Sequence, residues 1–228
     1  LSLAFVSSFA AQRDTLRVLA IGNSFSEDAV EDHFYPIAAE KGVTLIIGNM
    51  YIGGCSLERH AGNIRDNKDD YSYRKITADG KMTSEWGWTL AKAVVDEDWD
   101  IVTIQQSSPI SGQYEGYFPY IDELMDFISD AQPDAEIVFH MTWAYDPDTY
   151  HAGFAKYDKD QIVMYNAIMD TVSRVVDETG IKRVIPCATA MQNARTTVLD
   201  DKVNAPDGFH LGRPHGRYIA ACVWVECL

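Results

Sequence analysis

The chain is short of cysteine, short of positive charge and without a long apolar run, and each shortage closes off a class of explanation. Four cysteines in 228 residues, Cys55, Cys187, Cys222 and Cys227, are too few for a disulfide scaffold and lack the paired C-x-x-C spacing of a zinc site. If Cys222 and Cys227 share a helix they project from different faces and cannot bridge each other. All four are expected to be buried free thiols. Nineteen Lys and Arg stand against 34 Asp and Glu, a net charge of −15. Such a chain repels nucleic acid and anionic membranes, so a neutral substrate such as a sugar or a simple ester fits better. No stretch is long enough to span a bilayer, so no integral membrane segment is expected. The phosphate loop G-x-x-x-x-G-K-[ST] and the dinucleotide fingerprint G-x-G-x-x-G are missing, and so is the hydrolase elbow G-x-S-x-G.

What the chain does have is alternation. Hydrophobic residues make up 46% and charged residues 23%, the balance of a globular protein large enough for one domain with a real core. Strand-like runs at 16–21, 43–50, 101–105, 136–141 and 183–186 alternate with helical periodicity at 28–41, 89–97, 120–131, 161–179 and 216–227. That order predicts an α/β fold with a mostly parallel sheet of about five strands, covered on both faces. Residues 56–87 break the alternation: YSYRKITADGKMTSEW reads as a hairpin turning at Asp79-Gly80, set where open α/β sheets bind ligands. The last helix reaches the final residues without a cap and is expected to be cut short. The opening residues, LSLAFVSSFAAQ, form a short apolar run ending in small residues. Residues 1–12 therefore resemble the end of a secretory signal, residues 13–228 are expected to form one domain, and the protein is expected to be exported, to the periplasm or beyond the cell.

The first strand hands over to a helix through Gly22-Asn23-Ser24-Phe25-Ser26. A serine there is a turn or capping residue unless partners elsewhere make it a nucleophile. Asn23 reads as a turn residue, and Asp28, with Glu31 three residues on, as a helix cap. The partners appear in NAPDGFHLGRPHGRYIAACVW, residues 204–224, where Asp207 and His210 stand three apart in a Pro/Gly-marked loop. A serine hydroxyl attacks only when a base takes its proton, and that imidazole needs a carboxylate on its other nitrogen. One short loop can supply both. His215 reads as a surface or capping residue. Asp207, His210 and His215 have no convincingly spaced further ligand, so no metal is expected.

Taken together, IGNSFS with Ser24, IGGCSLERH with Gly54 and PDGFHLGRPHG with Asp207 and His210 resemble the blocks of SGNH (GDSL-type) esterases and lipases, in a divergent exported bacterial branch. The resemblance spans residues 16–224. It implies a flavodoxin-like three-layer αβα sandwich, no cofactor, and a triad of Ser24, His210 and Asp207. It also implies an oxyanion hole from the N–H of Ser24, the N–H of Gly54 (or Gly53), and a side-chain amide after the third strand. That third block usually reads G-x-N-D, whereas this chain reads DIVTIQQSSPISG. The carboxamide then falls to Gln105 or Gln106, with Gln105 favoured. Trp86, Trp88, Tyr114, Tyr117, Trp143 and Tyr145 follow strands or sit in the irregular segment, and about two of the six are expected to line a cleft. Trp86 and Trp143 are assigned to substrate, a small-molecule or glycan ester. The resulting expectation is a serine esterase acting on short acyl groups of carbohydrates. The competing expectation is a glycan-binding relative whose oxyanion hole no longer works.

Overall fold

The computed structural model describes residues 15–228, so the signal-like reading of residues 1–12 lies outside the described residues. Strand β1, Thr15–Gly22, is central because its apolar residues do not alternate: Val18, Leu19, Ala20 and Ile21 are all buried, as a parallel strand covered on both faces requires. It pairs in parallel with β2, Thr44–Tyr51, and with β5, Ile101–Ile104. Beyond β5 lie β6, Glu136–His140, and β7, Val184–Ile185, also parallel.

The five parallel strands are joined by two more. β3, Tyr71–Ile76, and β4, Met82–Trp88, form the expected hairpin, but it does not merely decorate the rim. β3 pairs antiparallel with β2, giving a seven-stranded sheet in the order β4-β3-β2-β1-β5-β6-β7. The hairpin thus supplies hydrogen-bond partners for a β2 edge that would otherwise be open.

Helices flank the sheet. α1, Ser24–Val30, and α2, Phe34–Glu40, pack with α8, Gly216–Cys227, which also contacts α7, Cys187–Arg195. α3, Leu57–Arg65, packs on α5, Tyr120–Ala131, and on the short α4, Leu90–Ala93. α6, Gln161–Thr179, ends at Gly180 as expected.

The helix expected over 28–41 is two helices, α1 and α2. Pro36 lies in that run and has no N–H for a continuous ladder, and its ring would clash with the carbonyl four residues back. It is tolerated only in the first turn of a new helix, which is where it sits in α2. Of the thiols, Cys55 and Cys187 are buried, whereas Cys222 and Cys227 are half-buried, and all four are free. Among the described residues no helix is long and apolar enough to cross a membrane.

Candidate active site

Ser24 is the first residue of α1 and follows its N-cap. That cap is Asn23, whose Oδ1 accepts the Phe25 N–H at 2.9 Å. Asp28, read from sequence as the cap, is instead buried inside the helix. A capping side chain must precede the free N–H groups it serves, and Asp28 lies a turn too late. Its Oδ2 accepts the Leu211 N–H at 2.7 Å.

Asn23 does more than turn the chain. Its Nδ2 donates to the Cys55 carbonyl at 2.9 Å, fixing the backbone just after Gly53-Gly54. Because a carbonyl only accepts, this bond orients the amide and leaves Oδ1 to receive Gln105 Nε2 at 2.8 Å. Gln105 Oε1 then accepts from His140 Nδ1 at 2.8 Å. Burial pushes the His140 imidazole down to about 3, so it stays neutral with its proton on Nδ1. Gly22 is small for the same reason: a side chain there would press against Ser26 and Gln105.

The Gln105 amide, assigned to the oxyanion hole from sequence, is bonded at Oε1 to His140 and through one of its two Nε2 hydrogens to Asn23. Gln106, the alternative, is engaged likewise: Nε2 donates to the Gly116 carbonyl at 2.8 Å, and Oε1 accepts the Leu57 and Ser107 N–H groups. Both side chains are buried and neither lines the cleft beside Ser24.

On the other side, Asp207 Oδ2 lies 2.7 Å from His210 Nδ1, while Oδ1 accepts the Phe209 and His210 N–H groups at 3.0 Å each. Burial alone would raise this carboxyl; the two backbone N–H groups and the His210 ring outweigh it and hold Asp207 below the usual carboxylate range. The loop is braced from behind. Ala205 N–H donates to the His210 carbonyl at 2.8 Å, and Thr149 Oγ1 to that of Asp207 at 2.7 Å.

Ser24 and His210 line one cleft of about 270 Å³, with Gly53, Gly54, Ser108 and His151. Ser24 Oγ is not hydrogen-bonded to His210 among the described residues; the two share the cleft without a closed link. Gly54 turns with φ of +64°, a left-handed conformation that glycine adopts without strain. Phe25 and Phe209 supply apolar wall and Tyr51 closes the β2 side.

Trp143, assigned to substrate from sequence, is fully buried instead. Its ring stacks on Phe25 at 4.2 Å, and its Nε1 donates to the Phe209 carbonyl at 2.8 Å. It props both the helix that Ser24 begins and the loop that carries His210. Trp86 is 71% exposed on β4 and lies outside the cleft. His215 is exposed at the start of α8. No group of three or more His, Cys, Asp or Glu placed to hold a metal ion occurs among the described residues.

Sequence reasoning missed Tyr51, Ser108 and His151. Tyr51 ends β2 immediately before Ile52-Gly53-Gly54, and Ser108 follows the Gln-Gln pair, so both stood beside recognised blocks. His151 lies in the loop after β6, and no pattern marks it. Ser108 Oγ is bonded to the Tyr145 hydroxyl at 2.7 Å. His151 Nδ1 accepts the Gly153 N–H at 3.0 Å, which leaves the proton of the neutral ring on Nε2.

The fold is that of the SGNH hydrolases. The chain superposes with a TM-score of 0.64 on a candidate SGNH hydrolase from Slackia heliotrinireducens, at 21% identity over 93% of this chain and 98% of that one. An acetyl xylan esterase, AlAXEase, gives 0.58 at 11% identity, over 93% and 100%. The chain belongs to the family described as Domain of unknown function (DUF4886), which matches residues 17–228. A DUF4886 family protein from Bacteroides uniformis ATCC 8492 is 48% identical, with a TM-score of 0.92 over 94% of this chain and 83% of that one. The comparison with curated proteins gives no match.

Proposed function

We propose that the protein is a serine esterase that removes short acyl groups, acetyl foremost, from carbohydrate esters outside the cytoplasm. The observation that carries this reading is that Ser24 and an Asp207-paired His210 line the same cleft as Gly53 and Gly54. Ser24 Oγ attacks the ester carbonyl carbon while His210 Nε2 takes its proton, and Asp207 balances the imidazolium. The carbonyl oxygen becomes an oxyanion facing the N–H groups of Ser24 and Gly54. As the tetrahedral intermediate collapses, His210 returns the proton to the leaving alkoxide. Water, activated by the same imidazole, then cleaves the acyl-serine and releases the carboxylic acid.

Gln105 and Gln106 do not line the cleft, whereas the turn after β5 brings another candidate third donor into it, the Ser108 hydroxyl, whose Tyr145 partner can donate to it and leave its own proton free. The small cleft supports a short acyl chain, since pockets for drug-sized ligands run from about 300 Å³ upward. Trp86 supports a glycan alcohol. Tyr51 pairs with Ser72, and Ser72 with Trp86, so Tyr51 and Trp86 share one sheet face, two strands or about 10 Å apart. An irregularity between Tyr71 and Ser72 sends Trp88 inward against Tyr73 and leaves Trp86 in solvent. One observation favours the competing reading of a glycan-binding relative without catalysis: both glutamines of the third block are structural.

Hydrolysis of p-nitrophenyl acetate by the wild type and by Ser24→Ala decides between them. The esterase reading expects the rate to vanish with the hydroxyl and to fall as the acyl chain lengthens. Equal rates for the two proteins overturn it.

A further inference from the structure

Asp28 takes no part in the steps above, yet it is a carboxylate only 1% exposed within the helix that Ser24 begins. Its Oδ2 accepts the N–H of Leu211, the residue after His210, at 2.7 Å across 183 positions of sequence. Its Oδ1 meets Arg217 Nη2 at 2.6 Å. Arg217 in turn donates from Nε to the Leu211 carbonyl at 3.3 Å. Both polar backbone ends of one residue are therefore gripped by a carboxylate and a guanidinium that also grip each other.

We infer that the Asp28–Arg217 pair is a positioning clamp that sets the reach between Ser24 and His210 by tying the nucleophile's helix to the base's loop. The inference rests on the esterase reading for its consequence, though not for its geometry. Cost supports it. Burial pushes the Asp28 carboxyl up to about 7, against the opposing pull of Arg217, the Leu211 N–H and His210. A neutral residue of similar shape would serve packing alone better than a desolvated charge. Groups held at such cost cluster where function requires them. The other charges facing this pair are Glu27, on the same helix and 4.0 Å from Arg217 Nη2, and Asp32, 3.1 Å from Arg217 Nη1. Arg217 therefore keeps a partner when Asp28 is neutralised.

Asp28→Asn keeps the volume and an acceptor for Leu211 while removing the charge. For p-nitrophenyl acetate, kcat is expected to fall about 10- to 100-fold with KM changed by less than about twofold, because misplaced groups slow chemistry more than binding. The melting temperature at pH 8 should equal or exceed that of the wild type, because a costly buried charge is gone. The acid limb of log kcat/KM should be shallower in Asp28→Asn than in the wild type, because the variant no longer needs Asp28 unprotonated. An unchanged kcat and slope overturn the clamp, and so does a fall in kcat that parallels an equal loss of melting temperature. If Ser24→Ala already shows that the wild type is no esterase, the ring NMR signals of His210 still read the clamp. A shifted and broadened His210 signal in Asp28→Asn supports it, and an unchanged one overturns it.

Discussion

The Ser24 side of the cleft and the His210 side are held by different chemistry. Behind Ser24 runs a chain of neutral, buried groups, Cys55 carbonyl, Asn23, Gln105 and His140, in which each bond dictates the orientation of the next. Behind His210 the partners are charged: Asp207 directly, and Asp28 with Arg217 one residue further on. A neutral network gives a frame that does not change near neutral pH. A charged one lets a proton arrive and leave, and ties that event to the geometry around it.

The sharpest way to break the comparison is Asp207→Asn, which replaces charge by a neutral amide on the His210 side. The swap leaves the ring nitrogen with a partner of the wrong polarity, so kcat should fall by on the order of 10⁴ while KM moves little. Steady-state kinetics with p-nitrophenyl acetate check it. A loss confined to KM would mean that Asp207 only shapes the pocket.

The Ser24 side should answer to acid through stability instead. His140 is held neutral, its folded value pushed down to about 3 by burial, against about 6.5 in an unfolded chain. The unfolded state therefore binds the extra proton first, and stability is lost as pH falls from about 6.5 toward 3. By pH 4 this single group accounts for roughly 3 kcal/mol. Urea unfolding at pH 7 and pH 4 should show a smaller loss for His140→Gln than for the wild type, and equal losses would mean that the ring is not buried neutral.

Asn23→Ala removes a cap and strands both the Cys55 carbonyl and the Gln105 amide, for an expected cost of about 2 kcal/mol at any pH between 6 and 8. Its effect on the melting temperature should not vary across that range, whereas that of Asp28→Asn should. If both vary alike, the division into neutral and charged sides is wrong.

Much of this was legible in the residues, and the parts that were not share a cause. The parallel strands show because buried β-structure leaves unbroken apolar runs such as Val18–Ile21 in β1. Ser24, Gly54, Asp207 and His210 show because short loops at strand ends carry them in a fixed order, and the structure sets all but Asp207 along one cleft, with Asp207 behind His210. The bonds of Gln105 were not legible because an amide's direction depends on partners far along the chain, here Asn23 and His140, which no spacing rule connects. Asp28 misled for the same reason: its partners Leu211 and Arg217 lie at the opposite end of the sequence. Trp143 and Trp86 are both tryptophans near strand ends, and only packing distinguishes a buried prop from an exposed plate.

Trp86 gives the smallest expected effect and the one that sharpens the comparison furthest from the reacting atoms. Its ring lies on the same sheet face as Tyr51 but outside the cleft, so a p-nitrophenyl ester, which ends within the cleft, should not touch it. Trp86→Ala should therefore leave kcat/KM for p-nitrophenyl acetate unchanged. An acetylated oligosaccharide long enough to span about 10 Å should lose roughly 1 kcal/mol of binding, read as a several-fold rise in KM with kcat unaltered. Equal KM values for the oligosaccharide would detach Trp86 from the substrate and leave it as an ordinary exposed residue of an edge strand. A rise in KM that grows with oligosaccharide length and then levels off would instead measure how many sugar units separate the plate from Ser24.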